Sequence, residues 1–444
     1  MRLVNIHIQL IFLFIFEIGV QSAHAQIWTI QQCIDTAKVH NKSLQMGYNN
    51  IAIGKQKSKE VKANFIPKLT ANTDYKYFTN LPYQLLPLST FSPSAPEGQF
   101  KEAQFGVPHN INANLQLSVP FYNPQIYGTI QTSKIALELT ELQFKKTEEE
   151  LYFEITNLYY NAQYAHQQMV FIDGNITNAQ KLLLNMQLLL EQKLTKGTDV
   201  IKVKLQVAQL MNQKENISSK YQQVLNVLKF SMGLSLDHQI LIDTVIQFQN
   251  TVEHTVASTL DMRIIKTQNR LLSSEINTLS NTRTMPTINF ISLFGTSGFG
   301  YDKQPNDFLK FYPIGYAGIQ ISYPIFSGTT TQRKLNQKKL ELQNNKLQFD
   351  ANNDQNNMQI ENTKMQRSIA QKSMETIINQ VELATTIYNQ TILLQKQGEA
   401  SLTDIILADN ALRESQQTYL SAIIDYLKAD LELKKITGNI SSLK

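Results

Sequence analysis

The stretch that decides the fold is residues 115–120, which read Leu-Gln-Leu-Ser-Val-Pro, and its counterpart is residues 319–324, which read Ile-Gln-Ile-Ser-Tyr-Pro. In both stretches apolar and polar residues alternate until a proline ends the pattern. Such alternation is typical of a β-strand with one apolar face. The pair therefore indicates that the chain contains the same strand twice.

A second motif recurs at almost the same separation. Residues 198–201 read Thr-Asp-Val-Ile, and residues 403–406 read Thr-Asp-Ile-Ile. Self-similarity at a fixed period is the mark of an internally repeated architecture. We therefore predict two structural repeats, residues 26–235 and 236–444, each with the order helix, strand, loop, strand, long helix, tight turn and long helix.

The strand pattern occurs in four segments, near residues 67–79, 110–121, 286–296 and 315–326. Each has about the ten residues that a tilted strand needs to cross a bilayer. We predict that the proline-rich segment 80–109 is a long loop between the first two strands and that 302–313 is its shorter counterpart. A soluble sandwich with one wet face would show the same alternation and is the alternative.

Proline is absent from residues 125–285 and 325–444, and glycine is scarce there. In the first of these regions apolar residues recur at every seventh position, as in a coiled coil: Ile130, Leu137, Phe144, Leu151, Leu158, Ala165 and Ile172. We therefore predict two helical hairpins, at 125–232 and 328–438, whose first helix is about 100 Å long.

The strand count has a consequence for assembly. Four strands per chain cannot close, and open sheet edges are not tolerated in lipid. Two chains would give eight strands, whose interior fills with side chains, whereas three chains would give twelve and leave a bore. We therefore predict an α+β membrane protein in which a homotrimer shares a 12-stranded β-barrel, with four strands from each chain.

The N-terminus has the pattern of a secretory signal peptide. Arg2 precedes an apolar run at residues 6–20, and residues 23–25 read Ala-His-Ala, which supplies the small residues that signal peptidase requires. We predict that residues 1–25 are removed on export.

The lone cysteine, Cys33, excludes an internal disulfide bond. We interpret it as a small apolar residue of the first helix. Lipidation is the alternative, but it would require small residues where Gln31 and Gln32 stand. The net charge is +5, and the lysines and glutamates are interspersed, so the charge pattern does not predict nucleic-acid binding.

No motif predicts an enzyme, a catalytic residue or a cofactor. The sequence contains no H-E-x-x-H, C-x-x-C or G-x-S-x-G. The glycine-rich residues 295–300 fit neither phosphate-binding pattern and are interpreted as strand and turn. The run Glu148-Glu149-Glu150 is interpreted as a solvated helix face rather than a metal site.

In their order, these elements resemble the outer-membrane efflux proteins typified by TolC. The resemblance covers essentially the whole mature chain. It is carried by the strand ends at 116–120 and 320–324, by the glycine followed by Thr-Asp-aliphatic at 197–200 and 398–405, and by residues 28–35, which resemble the first helix of such proteins.

The resemblance implies a trimer whose barrel lies in the outer membrane of a Gram-negative bacterium, in contact with its lipid, and continues through the periplasm as a long α-helical barrel of coiled-coil hairpins. The hairpin tips, here near 194–201 and 396–406, would close the inner end, where a periplasmic adaptor and an inner-membrane pump would dock. The implied function is the passive exit duct of a tripartite efflux or type I secretion system.

The candidate site residues lie at these tips: Gly197, Thr198, Asp199, Gly398, Thr403, Asp404, Leu407 and Asp409. Asp199 and Asp404 match the tip aspartates of the family, and three Asp404 carboxylates around a narrow bore would attract cations. Relatives with an acidic constriction have a second acid three residues further on. Here Leu407 holds that position and Asp409 is the next acid, so the resemblance does not extend to a double acidic ring or to the strong cation selectivity that such a ring implies.

Each aspartate has an alternative role as the N-cap of the helix that follows its turn. We favour the cap for Asp199, whereas for Asp404 the cap and the constriction are both compatible with the sequence. For the whole chain, the alternative function is a coiled-coil structural or adhesive cell-surface protein. That function does not account for four strands of bilayer length beside the helical hairpins.

Overall fold

The computed structural model describes residues 27–92, 94–246 and 256–440. The predicted signal peptide, residues 1–25, lies outside these ranges. The elements of the first half of the chain are β1 Ile27–Trp28, α1 Ile30–His40, α2 Lys42–Ala63, β2 Lys68–Tyr77, β3 Tyr83–Pro87, β4 Phe100–Gln104, β5 His109–Tyr122, α3 Pro124–Glu191 and α4 Gly197–Met232.

The second half contains β6 Leu241–Ile242, α5 Leu260–Thr284, β7 Thr287–Tyr301, β8 Phe308–Ser322, α6 Thr330–Gln397 and α7 Leu402–Ile436. Both halves thus present a helix, two long strands and a pair of long helices in the same order. The described residues form two compact units. The strand unit comprises Ile51–Thr140 and Ile265–Gln348, and the helical unit comprises the remainder.

The strand unit contains a four-stranded antiparallel sheet in the order β2-β5-β7-β8. The pairing of β5 with β7 joins the two halves of the chain, for example through Leu115 and Phe294. In the part of the chain that the structure describes, β2 and β8 each pair with one strand only, so no other described strand covers either edge of the sheet.

The two strands of the second half are longer than the sequence pattern indicated. β7 continues through the glycine-rich residues 295–300, so the predicted turn there is wrong. β8 begins at Phe308 and ends at Ser322, so the predicted loop 302–313 is confined to residues 302–307. Glycine permits the continuation because the Phe311 ring occupies the space beside Gly298, where an added Cβ would lie 2.6 Å from that ring.

The proline-rich segment 80–109 is also more ordered than a loop without secondary structure. It contains the antiparallel pair β3–β4, with Tyr83 opposite Gln104 and Pro87 opposite Phe100. Pro87 is tolerated in β3 because each strand of a two-stranded ribbon is an edge strand, where a residue without a backbone N–H can be accommodated.

In the helical unit, α1 packs against α3 and α4. Helix α1 begins with a capping box in which Thr29 accepts from the Gln32 backbone and the Gln32 side chain accepts in return. Cys33, Ile34 and Ala37 of α1 lie in a core with residues of α3 and α4 that include Ile155, Tyr159, Leu228 and Met232. Burial raises the pKa of the Cys33 thiol to about 12, and this buried position matches the predicted apolar role rather than a lipid anchor.

Asn41 and Gly233 fix the junction between α1, α2 and the end of α4. Asn41 Oδ1 accepts from the backbone of Ser43 at 2.8 Å, which caps α2, and Asn41 Nδ2 donates to the Ser231 carbonyl at 2.8 Å. Gly233 ends α4 with φ +74°, and a Cβ there would lie 2.3 Å from the His40 carbonyl oxygen. Only glycine satisfies both the backbone angle and this close approach.

Helices α3 and α6 each contain 68 residues, so each is about 100 Å long at 1.5 Å per residue. Along α4, Val203, Val207 and Leu210 recur at spacings of four and three residues and are buried. Lys214, four residues after Leu210, pairs with Asp173 on α3 at 2.7 Å. None of the helices that the structure describes combines the length and the hydropathy that crossing a bilayer would require.

Candidate functional site: the sheet faces and the hairpin turns

The four-stranded sheet has two chemically different faces. On one face Asn112 Nδ2 donates to Asp74 Oδ2 at 3.2 Å, and Ser297 Oγ donates to Asn112 Oδ1 at 2.9 Å. All the lysines and carboxylates of β2, β5, β7 and β8 project from this face, and we call it the charged face: Lys68, Asp74, Lys76 and Lys310.

The opposite face, which we call the apolar face, carries no lysine, arginine or carboxylate in these four strands. Its rows consist of residues such as Leu115 and Phe294, which are 48% and 71% exposed in the single chain. Aromatic rings lie at both ends of the face. Phe121 and Phe290 stack at one end, with centroids 6.0 Å apart, and Tyr75 hydrogen-bonds to His109 at the other. An apolar band between aromatic girdles is the surface that a membrane strand presents to lipid.

The first hairpin turn, residues 192–196, connects α3 to α4 and lies in the helical unit. Lys196 occupies the N-cap position without a capping side chain, and Gly197 and Thr198 are already helical. Asp199 is therefore the third residue of α4, so its predicted role as the N-cap is wrong. Its carboxylate instead lies 3.3 Å from Lys202 Nζ and accepts a long hydrogen bond, 3.4 Å, from Thr195.

The second hairpin turn, residues 398–401, connects α6 to α7. Gly398 has φ +82°, which suits glycine after the end of α6. Ser401 is the N-cap of α7, and its Oγ accepts from the Asp404 backbone at 3.2 Å. Asp404 Oδ2 accepts in return from the Ser401 backbone at 2.8 Å and from its hydroxyl at 2.7 Å.

Asp404 is therefore the reciprocal member of a capping box rather than the cap itself. The Ser401 hydroxyl, followed by the Ser401 backbone N–H, holds the pKa of the exposed Asp404 carboxyl below its usual range. Leu407, one turn further along α7, is 61% exposed. Thr403 and Asp404 are exposed as well, so the first turn of α7 presents a mixed polar and apolar surface.

Asp409 differs from the other candidate residues because it is buried. Gln206 Nε2 of α4 donates to Asp409 Oδ2 at 2.6 Å, and Arg413 lies 2.9 Å from the same oxygen. Asp409 is 5% exposed, and this burial raises the pKa of its carboxyl, although Arg413 and Gln206 partly oppose the shift. We call these three residues the buried clasp, because they tie α4 of the first hairpin to α7 of the second.

The clasp lies beside a core to which all four long helices contribute. Leu182 and Met186 of α3, Val203 of α4, Ala384 and Tyr388 of α6, and Ile405, Ala408 and Leu412 of α7 form this core. The two hairpins therefore pack together near their turns, within one compact unit.

The sequence analysis missed five residues that contact the candidate aspartates: Thr195, Lys202, Gln206, Ser401 and Arg413. The spacing of Ser401 and Asp404 matches the capping-box pattern and was detectable from the sequence. The pairing of Gln206 with Asp409 was not detectable, because the two residues come from different hairpins. The glutamate run 148–150 is also less solvated than predicted, since desolvation raises the pKa of Glu148 and Glu149. Within the described residues no cluster of three or more potential metal ligands occurs.

A comparison of the sequence with models of protein families gave no match, and a comparison with curated protein sequences gave none either. Similarity is found at the level of structure.

Solved outer-membrane channels share the fold over most of the chain. The outer membrane protein VceC of Vibrio cholerae superposes with a TM-score of 0.73 at 15% identity, covering 92% of this chain and 96% of VceC. CusC, whose crystal structures concern folding and transmembrane channel formation, superposes with a TM-score of 0.74 at 13% identity, and 92% of each chain is covered. The open state of the MtrE outer membrane channel of Neisseria gonorrhoeae superposes with a TM-score of 0.69 at 16% identity, covering 92% of this chain and 88% of MtrE.

These similarities confirm the resemblance that the sequence motifs indicated. The chain has the fold of the TolC-type outer-membrane channels, and its structural relatives are channels rather than enzymes.

Proposed function

We propose that this chain is the outer-membrane channel subunit of a tripartite efflux or type I secretion system. Three copies share a 12-stranded barrel in the outer membrane of a Gram-negative bacterium, and their long helices form a tunnel in the periplasm. A periplasmic adaptor and an inner-membrane pump deliver the substrate, and the channel conducts it passively to the exterior.

The observation that carries the proposal is the two-faced sheet with open edges. A sheet with one face free of lysines and carboxylates suits lipid, and its charged face suits a water-filled bore. Because β2 and β8 each pair with one strand only among the described residues, the backbone groups at both edges need partners before the sheet can enter a bilayer. Pairing β8 of one copy with β2 of the next satisfies them and closes the barrel.

The hairpin turns supply the proposed gate. In a trimer, three copies of Asp404 would surround the inner end of the tunnel and favour cations there. Splaying of the hairpins would open it, while the capping box keeps the first turn of α7 intact during the movement. Asp199, whose carboxylate already lies beside Lys202, contributes less charge to this opening.

The first experiment is to isolate the outer-membrane fraction, extract the protein in detergent and measure its detergent-corrected mass. We expect about three chain masses, followed by stepwise conductance when the purified oligomer is added to a planar bilayer. A monomer, or protein found soluble in the periplasm, would overturn the shared barrel and favour the coiled-coil surface protein.

A matched pair of variants tests the orientation of the sheet. Leu115 faces the apolar side of β5 and Gln116 the charged side. Leu115→Lys places a charge in lipid, at a cost of about 2–4 kcal/mol near the midplane, and should prevent assembly in the outer membrane. Gln116→Lys places the same charge in the bore and should assemble normally. Equal assembly of the two variants would contradict the proposed orientation.

A further inference from the structure

The charged face of the sheet is divided into two chemically different halves. On β2 and β5 this face carries polar side chains, from Thr70 to Asp74 and from Asn110 to Ser118. Across β7 and β8 the same rows continue mostly with apolar and aromatic residues: Ile291, Leu293, Phe299, Tyr312, Ile314 and Tyr316.

The contrast appears within single rows of paired residues. Gln116 of β5 lies beside Leu293 of β7, and Leu293 lies beside Tyr316 of β8. We call Ile291, Leu293, Ile314 and Tyr316 the apolar strip. In the single chain Ile314 is 46% exposed and Tyr316 is 51% exposed, so the described residues leave much of the strip open.

Neither lipid nor a neighbouring sheet covers the strip in the proposed barrel. Lipid contacts the other face of the same strands, where Phe290, Phe294 and Ile319 project. A second copy joins through the edges β2 and β8 and does not stack on the face. The strip is therefore exposed to the bore, where apolar surface attracts any solute with an apolar body.

The charges around the strip indicate which solutes fit. Lys68 lies in the row that contains Ile291, and Lys310 lies two residues before Tyr312 on the same face. Asp74, the one carboxylate on this face of the four strands, lies 3.5 Å from Lys76. The excess charge on the face is thus positive, and it complements an anionic group.

We propose that the apolar strip and Lys68 form a binding site for amphipathic anions in the wall of the bore. The apolar body lies against Leu293 and Tyr316, and the anionic group points toward Lys68, which lies two strands, or roughly 10 Å, across the sheet from Ile291. This site rests on the proposed function, because only a closed barrel converts the charged face of the sheet into the lining of a bore.

The test measures block of the single-channel current of the full-length oligomer in planar bilayers. Three probes separate the contribution of the apolar body from that of the anionic group. Naphthalenesulfonate has both. Methanesulfonate keeps the anionic group without the apolar body, and naphthyltrimethylammonium keeps the ring with the opposite charge. We expect naphthalenesulfonate to reach half-block at a concentration at least about tenfold lower than either of the others, as the gain from burying an aromatic ring predicts.

Variants then locate the site. The double variant Leu293→Asn with Tyr316→Gln makes these rows resemble the polar half and should raise the half-blocking concentration of naphthalenesulfonate about tenfold. Thr70→Asn changes the same row on β2 and is the matched control, with no expected effect. Lys68→Gln should weaken block by naphthalenesulfonate without weakening block by naphthyltrimethylammonium, because the removed charge attracts the first probe and repels the second. Gln116→Leu extends the strip and should strengthen block, which keeps the test decisive if the double variant does not assemble.

The outcomes distinguish the two proposals. An oligomer without conductance overturns the channel and the site together. A conducting oligomer in which the sulfonates block equally, or in which neither the double variant nor Gln116→Leu alters block, overturns the site alone. If the double variant instead changes the open conductance without altering block, a loop of the protein itself covers the strip, and the binding site is likewise excluded.

Discussion

The two hairpin turns carry the same Thr-Asp-aliphatic motif, but the helices that follow them begin with different capping interactions. In the first turn Asp199 follows an uncapped start and lies beside Lys202. In the second, Asp404 completes a capping box with Ser401, and the buried clasp fastens the next turn of α7 to α4. A repeated sequence motif thus fixes the position of a residue, whereas its contacts depend on what precedes it and what packs against it.

Disrupting the buried clasp should cause the largest loss in the free energy of unfolding. Asp409→Ala leaves the buried Gln206 amide without its acceptor and removes the carboxylate beside the part-buried Arg413, which should destabilise the folded chain by roughly 2 kcal/mol. Thermal unfolding in detergent measures the change, and Asp409→Asn, which can still accept from Gln206, should lose less. A loss for Asp409→Ala no larger than for an exposed substitution such as Lys202→Ala would contradict a structural role for the clasp.

Removing the capping interaction of each turn should cause a smaller loss in the free energy of unfolding, and the loss should differ between the two turns. Ser401→Ala removes the N-cap of α7 and should cost about 1 kcal/mol. Thr195→Ala in the first turn removes only a 3.4 Å hydrogen bond to Asp199 and should change stability by a few tenths of a kcal/mol or less. Denaturant unfolding of both variants under the same conditions makes the comparison. Equal losses would show that the capping box adds nothing beyond the weak contact of the first turn.

Acid titration should separate the two aspartates of α7 by the sign of their effects. Asp404 has a lowered pKa, so its stabilising contribution is present above the ordinary value of 3.8 and is lost as the pH falls through the lowered pKa. Asp409 has a raised pKa, so the stability linked to its protonated form is present below 3.8 and is lost as the pH rises through the raised pKa.

The measurement is the unfolding midpoint as a function of pH for the unaltered protein and two variants. Asp409→Asn should flatten the dependence above 3.8, and Ser401→Ala should flatten it below that value. If Asp409→Asn leaves the upper part of the curve unchanged, burial does not control the titration of Asp409.

The smallest effect should be on ion selectivity. In the proposed trimer, Asp404→Ala removes a charge from the inner opening and should reduce the preference for cations, while Asp199→Ala should change it less because Lys202 lies beside that carboxylate. Reversal potentials in a salt gradient measure both. Unchanged conductance and selectivity for Asp404→Ala would remove Asp404 from the constriction.

The clearest successes of the sequence analysis concern elements that local patterns define. Alternation located β2 and β5 to within two residues at each end but covered only part of β7 and β8. The lack of proline and glycine located α3 and α6. The failures concern features that a neighbouring element decides. Gly295 to Gly300 resemble a turn in isolation, but pairing with β5 and β8 keeps them extended. Asp199 resembles an N-cap, but α4 begins before it.

The sequence by itself determined the order of elements, the alternation that gives the sheet two faces, and the positions of the two turns. These follow from backbone chemistry and from side-chain periodicity, which act over a few residues. The tertiary structure decided that Asp409 is buried against Gln206 and Arg413, and that Leu293 and Tyr316 share a face with Lys68. Those relationships depend on strand register and on helix packing between distant segments, and no local property of the chain specifies them.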